Sequence, residues 1–154
     1  MFTFLDKNDD IKFMRAAICE AEKAAEAGEI PVGAVIVSHG EIIARAANRR
    51  ERDGRAIAHA EVLAIDEACI KKGGWRLSDC TLYVTLEPCP MCAGAIINSR
   101  IGRVVYGTKD ARAGALGSLI DLRSYPLNHK PECTAGVLGD ECAAILKKFF
   151  GKKR

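Results

Sequence analysis

The sequence predicts an α/β fold, a three-layer α/β/α sandwich round a mixed five-stranded sheet. Three observations predict it. Five short runs rich in β-branched residues are spread along the chain, the first two joined by a hairpin signal and the later ones alternating with stretches of helical periodicity. The run "CTLYVTL" at 80–86 reads as a continuous apolar stretch, as expected of a strand covered on both faces. The length of 154 residues suits a single domain, 1–154, with one substantial core.

The elements follow in order. Ile11, Met14, Ile18 and Ala21 fall at steps of three and four, which predicts a helix over 10–27, and Gly28 can end it. "PVGAVIV" and "EIIARAA" are strands joined by Ser38, His39 and Gly40. Helical spacing returns from Ala58 to Ile70, with Val62, Ile65 and Cys69 on one stripe. Lys71, Lys72, Gly73 and Gly74 close that helix with cations and then glycine. After the strand at 80–86, Pro90 suits a first helical position, because the N–H it lacks would be unpaired there anyway. The helix it opens runs to about Ser99. "RVVYGT" at 103–108 is a further strand, and "ARAGALGSLIDL" is a glycine-punctuated loop leading into a short helix. A brief strand is expected at 135–138, before a last helix over 139–150.

Composition narrows the class. Hydrophobic residues at 49% and charged residues at 28% place the chain among globular rather than disordered proteins. No apolar run is long enough to span a bilayer, so no membrane partner is expected. The opening "MFTFLDKNDDIKF" lacks the apolar stretch of a signal peptide, and a cytoplasmic location is expected. The net charge of +3 is too small to argue for a polyanionic partner. Its distribution says more: the last eight residues, 147–154, read "KKFFGKKR", and a second basic cluster, "NRRERDGR", lies at 48–55. A basic chain end alone is ordinarily just solvated.

Seven cysteines, an odd number in a chain read as intracellular, argue against a disulfide framework. Cys19, Cys69, Cys80, Cys133 and Cys142 lie in apolar or helical contexts and are expected to be small buried hydrophobes. Cys89 and Cys92 differ. Three residues apart at a helix start, they face one side of it. Alone, they fit a redox pair, a structural metal site or a catalytic one.

His59 and Glu61, in "AIAHAEVLAI", extend the pattern. A β-α-β connection returns the chain to the same edge of the sheet, so helix starts at His59 and Cys89 lie side by side at the carboxyl ends of strands. One imidazole and two thiolates suit zinc. His39, in the hairpin turn, and His129, in a loop, read as surface residues rather than as a fourth ligand, which favours an open, catalytic site. Glu61, two residues after the histidine, can stand beside the metal and carry a proton. The combination His59-Ala60-Glu61 with Pro88-Cys89-Pro90-Met91-Cys92 is the H-x-E…P-C-x-x-C pattern already known from zinc-dependent nucleobase deaminases.

Beyond that pattern, "PVGAVIV", "AHAEVLAI", "TLYVTLEPCPMCAGAIINSRIGRVVYGTKDARAGALGSL" and "GVLGDECAAILKKFF" resemble the bacterial tRNA-specific adenosine deaminases, from about Ile30 to Phe150. The resemblance implies a cytidine-deaminase-like fold. It implies hydrolytic conversion of adenosine to inosine at wobble position 34 of a tRNA anticodon, chiefly in an arginine tRNA. It also implies a homodimer and one Zn2+ per chain, held by His59, Cys89 and Cys92. On the same resemblance Glu61 is the proton shuttle, Asn48 hydrogen-bonds the flipped base, Ile30 and Leu86 are apolar walls, and Ala60 offers a backbone group. Lys109, Asp110, Asn128, His129, Phe149, Phe150 and the terminal Lys152, Lys153 and Arg154 correspond to anticodon-loop contacts. Two features depart from the family pattern: Ile57, where a small polar residue is usual, and the arginine-rich loop at 49–55. The rival readings are a guanine or cytidine deaminase acting on free base or nucleoside, a non-enzymatic zinc module that binds RNA, and a redox module.

Overall fold

Alternate residues of each strand point into two different helical layers, which makes the molecule a three-layer sandwich. The structure, a computed structural model, describes residues 7–152. In chain order the elements are α1 (Lys7–Glu26), β1 (Gly33–Ser38), β2 (Glu41–Ala47), α2 (Arg50–Asp53), α3 (Ala60–Lys72), β3 (Cys80–Leu86), α4 (Pro90–Asn98), β4 (Arg103–Thr108), a 3-10 turn (Leu122–Ser124), β5 (Glu132–Ala135) and α5 (Gly139–Lys152). The sheet order is β2-β1-β3-β4-β5. β1 is antiparallel to both its neighbours, whereas β3, β4 and β5 are mutually parallel. Every strand except β1 therefore runs the same way, and the carboxyl ends of β2, β3 and β4 share one edge.

On one face, Ala34, Ile36, Leu82, Val84, Val104 and Tyr106 pack with Ala60, Ala64 and Ala68 of α3 and Ala93 and Ile96 of α4. On the other face, Val35, Val37, Tyr83 and Val105 meet Phe13, Met14, Ala17 and Ile18 of α1 and Cys142 of α5. The period-two alternation of strand side chains thus feeds both cores. Gly33 lets α1 approach β1: a Cβ there would collide with the backbone of Ala17 and Ala21. A buried polar network crosses the second face. Arg103 donates two 2.8 Å hydrogen bonds to Asp10, and Tyr83 Oη donates a third at 2.7 Å. Arg103 also donates to Thr134 Oγ1 at 3.1 Å, so α1, β3, β4 and β5 are tied at one point.

The expected order of helices and strands is observed, with local differences. β5 lies at Glu132–Ala135 rather than 135–138, because Gly136 and Leu138 take left-handed backbone (φ 89° and 53°), which no strand accommodates. His59 precedes α3 as its cap residue instead of lying in its first turn. Residues 50–53, expected as loop, form the short helix α2. Cys80 and Cys142 are buried and Cys69 and Cys133 half-buried, but Cys19 is exposed. The buried stripe of α1 runs through Met14, Ala17, Ile18 and Ala21, and Cys19 faces away from it with Arg15 and Glu22. Among the described residues, no helix is long and apolar enough to cross a membrane.

Candidate active site

Two helix starts build the site. The chain leaves β2 at Asn48, makes α2, and returns to open α3 behind His59; it leaves β3 at Leu86 and opens α4 behind Cys89, with Pro90 at the first helical position. The result brings His59 Nδ1 to 3.3 Å from Cys92 Sγ and 3.6 Å from Cys89 Sγ. The three potential ligand atoms all lie within 4.8 Å of one another, and no other such group of three occurs among the described residues.

The protons of this cluster are shared. A hydrogen bond from Cys92 pulls the Cys89 thiol down to about 4, against its partial burial, and the His59 hydrogen bond pulls the same way. The Cys92 thiol is pushed up, first by that same bond to Cys89 and then by burial. The hydrogen bond with Cys89 raises His59. Glu61 is 4% exposed, and burial pushes its carboxyl up to about 7, although its own backbone N–H and the charge of His59 act in the opposite sense. The carboxyl of Glu61 is hydrogen-bonded to Cys92. A buried carboxyl with a raised pKa thus sits directly against the cluster.

A cavity of about 160 Å³ opens over these groups. Ile30, Val32 and Leu86 form its apolar walls, and Ala60, the first residue of α3, lines it near His59 and Glu61. Asn48 is buried on its rim, donating from Nδ2 to Ile30 O (3.2 Å) and accepting from Arg50 N (3.2 Å). One amide hydrogen and one lone pair remain to Asn48 for a ligand. Asp110 and Ala113 close the opposite wall, with Asp110 Oδ1 accepting from Arg112 N and Ala113 N. A larger cleft of about 380 Å³ lies between α1 and β2, on the far side of Asn48, and contains none of the cluster.

The outer residues divide. Lys109 is exposed just after β4. Phe149 is buried and Phe150 is 48% exposed; their rings meet edge-on at 5.5 Å. Both line a smaller cavity of about 130 Å³ that shares Ile30, Asn48 and Arg50 with the first. Lys152 is exposed, and Lys153 and Arg154 lie outside the described residues. Asn128 is exposed and His129 Nε2 contacts Ile101 O at 2.7 Å. Ile101 precedes β4, so within one chain Asn128 and His129 stand at the sheet edge opposite the cavity, roughly 20 Å away by the rise of a six-residue strand.

Residues 7–108 match the cytidine and deoxycytidylate deaminase zinc-binding region. The chain is 54% identical over 146 residues to a tRNA-specific adenosine deaminase of Bacillus subtilis (strain 168), covering 94% of this chain and 91% of that protein. This chain belongs to the tRNA-specific adenosine deaminase family. A second such deaminase, from Streptococcus pyogenes serotype M1, is 48% identical over 92% of this chain and 84% of its own length. A solved structure from work on A-to-I editing by tRNA:A34 deaminases superposes with a TM-score of 0.83 at 43% identity, covering 88% of this chain and 99% of that one. A guanine deaminase of Bacillus subtilis is more distant: TM-score 0.61 and 35% identity over 76% of this chain and 85% of that one.

The fold and the family expected from the sequence are therefore borne out. As a member of a zinc-binding deaminase family, the chain supplies a fitting donor set: one imidazole nitrogen and two sulfurs converge, and three protein ligands are the number a catalytic zinc site uses. Residues that the sequence reading left without a role also shape the site. Glu29, 2% exposed, accepts from Glu51 N (3.0 Å) and Arg52 N (2.7 Å) and so caps α2 behind Asn48. Arg50 lines both cavities. Glu87 holds the loop that carries Asp110. Acids this deeply buried are rare, but solvent exposure cannot be read from their position in a sequence.

Proposed function

We propose that this deaminase hydrolyses adenosine to inosine at the wobble position of a tRNA anticodon, chiefly that of an arginine tRNA. The observation that carries the reading is the contact of the buried Glu61 carboxyl with the His59–Cys89–Cys92 cluster at the floor of a cavity rimmed by Asn48. The family names of the relatives support the choice of base and RNA.

His59, Cys89 and Cys92 would hold one zinc ion. When bound there, zinc lowers the pKa of a water molecule to near neutrality. Asn48 offers its remaining amide hydrogen and lone pair to the purine edge, and Ile30, Val32 and Leu86 contact the ring faces. Glu61 takes a proton from the attacking water, delivers it to N1 of the ring, and passes the second proton to the departing amine. The balance is water plus adenosine giving inosine plus ammonia. A buried carboxyl held against the cluster can both accept a proton and return it. The adenosine must leave its stack to reach this floor, and Phe150 and Arg50 beside the mouth suit a neighbouring base and phosphate.

The protein is further proposed to act in the cytoplasm as a homodimer. The position of Asn128 and His129, at the edge away from their own cavity, suits contact with RNA bound at a partner's site. Incubation with an anticodon stem-loop carrying wobble adenosine, beside free adenosine, cytidine and guanine, tests the substrate. Inosine in the stem-loop alone is expected; turnover of guanine or cytidine with an inert stem-loop would reassign the protein to free-base or nucleoside deamination.

A further inference from the structure

We propose that Glu87 is a positioning residue that sets the Asp110–Ala113 wall of the substrate cavity against the cysteine that follows it. Glu87 stands between the end of β3 and Pro88-Cys89 and is 2% exposed. Its Oε1 accepts from Asp110 N at 3.1 Å and from the Ser118 hydroxyl. Its Oε2 accepts from Leu116 N and Ser118 N, each at 3.1 Å. Four donors therefore converge on one carboxylate, whose two oxygens offer a lone-pair site to each. The backbone joins in: Glu87 N donates to Thr108 O (2.9 Å) and Ala115 N donates to Pro88 O (2.8 Å). Gly114 belongs to the same construction, since a Cβ there would collide with the Glu87 carboxyl and with Asp110 O.

Ala115 and Leu116 anchor the far end of the loop 110–118 in the core, and Leu116 O accepts from Arg123 at 3.2 Å, whereas its Asp110 end is tied to β3 through Glu87. The loop contains no helix or strand, and Leu119 and Ile120 beyond it are exposed. Yet it supplies Asp110 and Ala113 to the cavity. The Glu87 carboxylate thus transmits the position of the β3 end to the substrate wall. It differs from Glu61 in chemistry: every hydrogen-bonding site of Glu87 is taken by a protein donor, so it has no lone pair with which to carry a proton to substrate.

The kinetic part of the test rests on the proposed RNA substrate; the structural part does not. Glu87→Gln replaces one oxygen by an NH2 that faces either the Asp110 N–H or the Leu116 and Ser118 N–H groups, so at least one donor loses its acceptor. The expected outcome is unchanged zinc content, KM for the stem-loop raised about tenfold with kcat within about threefold of wild type, and faster amide exchange at Asp110, Leu116 and Ser118 with none at Ile96. Ser118→Ala, which removes one hydroxyl donor, is expected to move the same quantities less. A fall in kcat at unchanged KM would make Glu87 a proton-handling group, and loss of zinc would make it a support of the metal ligands; either overturns the proposal, as does unchanged loop exchange. If wild-type protein ignores the stem-loop, the substrate reading fails, while the exchange measurement still decides the role of Glu87.

Discussion

Cys92 Sγ lies 3.3 Å from His59 Nδ1, although the two residues stand at the starts of different helices, thirty-three residues apart. The cluster is assembled by the sheet: β2 and β3 run the same way on either side of β1 and deliver α3 and α4 to one edge. The scaffold is packed on both faces independently of the cluster. Cys92→Ser is therefore expected to lose zinc and activity yet keep its fold, with metal analysis and circular dichroism as the readouts. Unfolding of Cys92→Ser would show instead that the ligands are part of what holds the sheet together.

Glu61 is expected to be dispensable for metal and indispensable for turnover. Glu61→Gln keeps volume and hydrogen bonding but cannot take a proton. Its kcat should fall by about 10²–10⁴-fold, the usual worth of a positioned acid–base group, with one zinc per chain and stem-loop affinity retained. Full activity in this variant would remove Glu61 from the mechanism.

Burial of Glu61 also has a stability signature. Its carboxyl lies at about 7 in the folded protein against an ordinary 4.5. A raised acid favours its protonated form on folding, so it contributes stability below its ordinary value and loses that contribution as pH rises through 7. In chelator-treated protein, Glu61→Gln should therefore be the more stable form at alkaline pH, by about 3 kcal/mol. The advantage should vanish in acid below the unfolded value. Denaturant titrations across that window measure it, and a pH-independent difference would mean that Glu61 does not titrate there.

Phe149 and Phe150 separate packing from recognition. Phe149→Ala empties a buried site and should cost about 3 kcal/mol. Phe150→Ala removes a ring that is 48% exposed, so stability should change little while KM for the stem-loop rises. Equal effects of both substitutions on stability and none on KM would make α5 purely a packing helix.

The Asp10–Arg103 pair predicts the converse pattern. Both side chains are largely buried, at 7% and 10% exposure. Arg103→Ala strands the Asp10 charge and should cost about 3–5 kcal/mol, with zinc content and activity per folded molecule unchanged. A loss of under a third of that would mean that water reaches Asp10 and replaces the guanidinium.

Much of this was legible in the sequence because it rests on local regularities. The apolar run 80–86, the helix-ending Lys71-Lys72-Gly73 and the Pro90 helix start each follow from nearest-neighbour chemistry, and the spacing of His59, Glu61, Cys89 and Cys92 needs only the return of a β-α-β unit. What was not legible depends on contacts between distant segments. Glu29 caps a helix more than twenty residues on, and Glu87 gathers donors from residues 110 to 118. Both look like ordinary acids until the fold buries them. The α2 helix was hidden for the same reason: four charged residues without an apolar stripe form a turn only because Glu29 satisfies its first amides. The place of β5 was missed because Gly136 and Leu138 break the extended backbone within an otherwise apolar stretch.

The most direct test of the central claim is one incubation of zinc-loaded protein with an anticodon stem-loop bearing wobble adenosine, in heavy-oxygen water, followed by mass spectrometry of the nucleosides. The account expects inosine at the wobble position alone, carrying one solvent oxygen, with ammonia released in equal amount. A stem-loop that stays adenosine, or inosine without solvent oxygen, would contradict it.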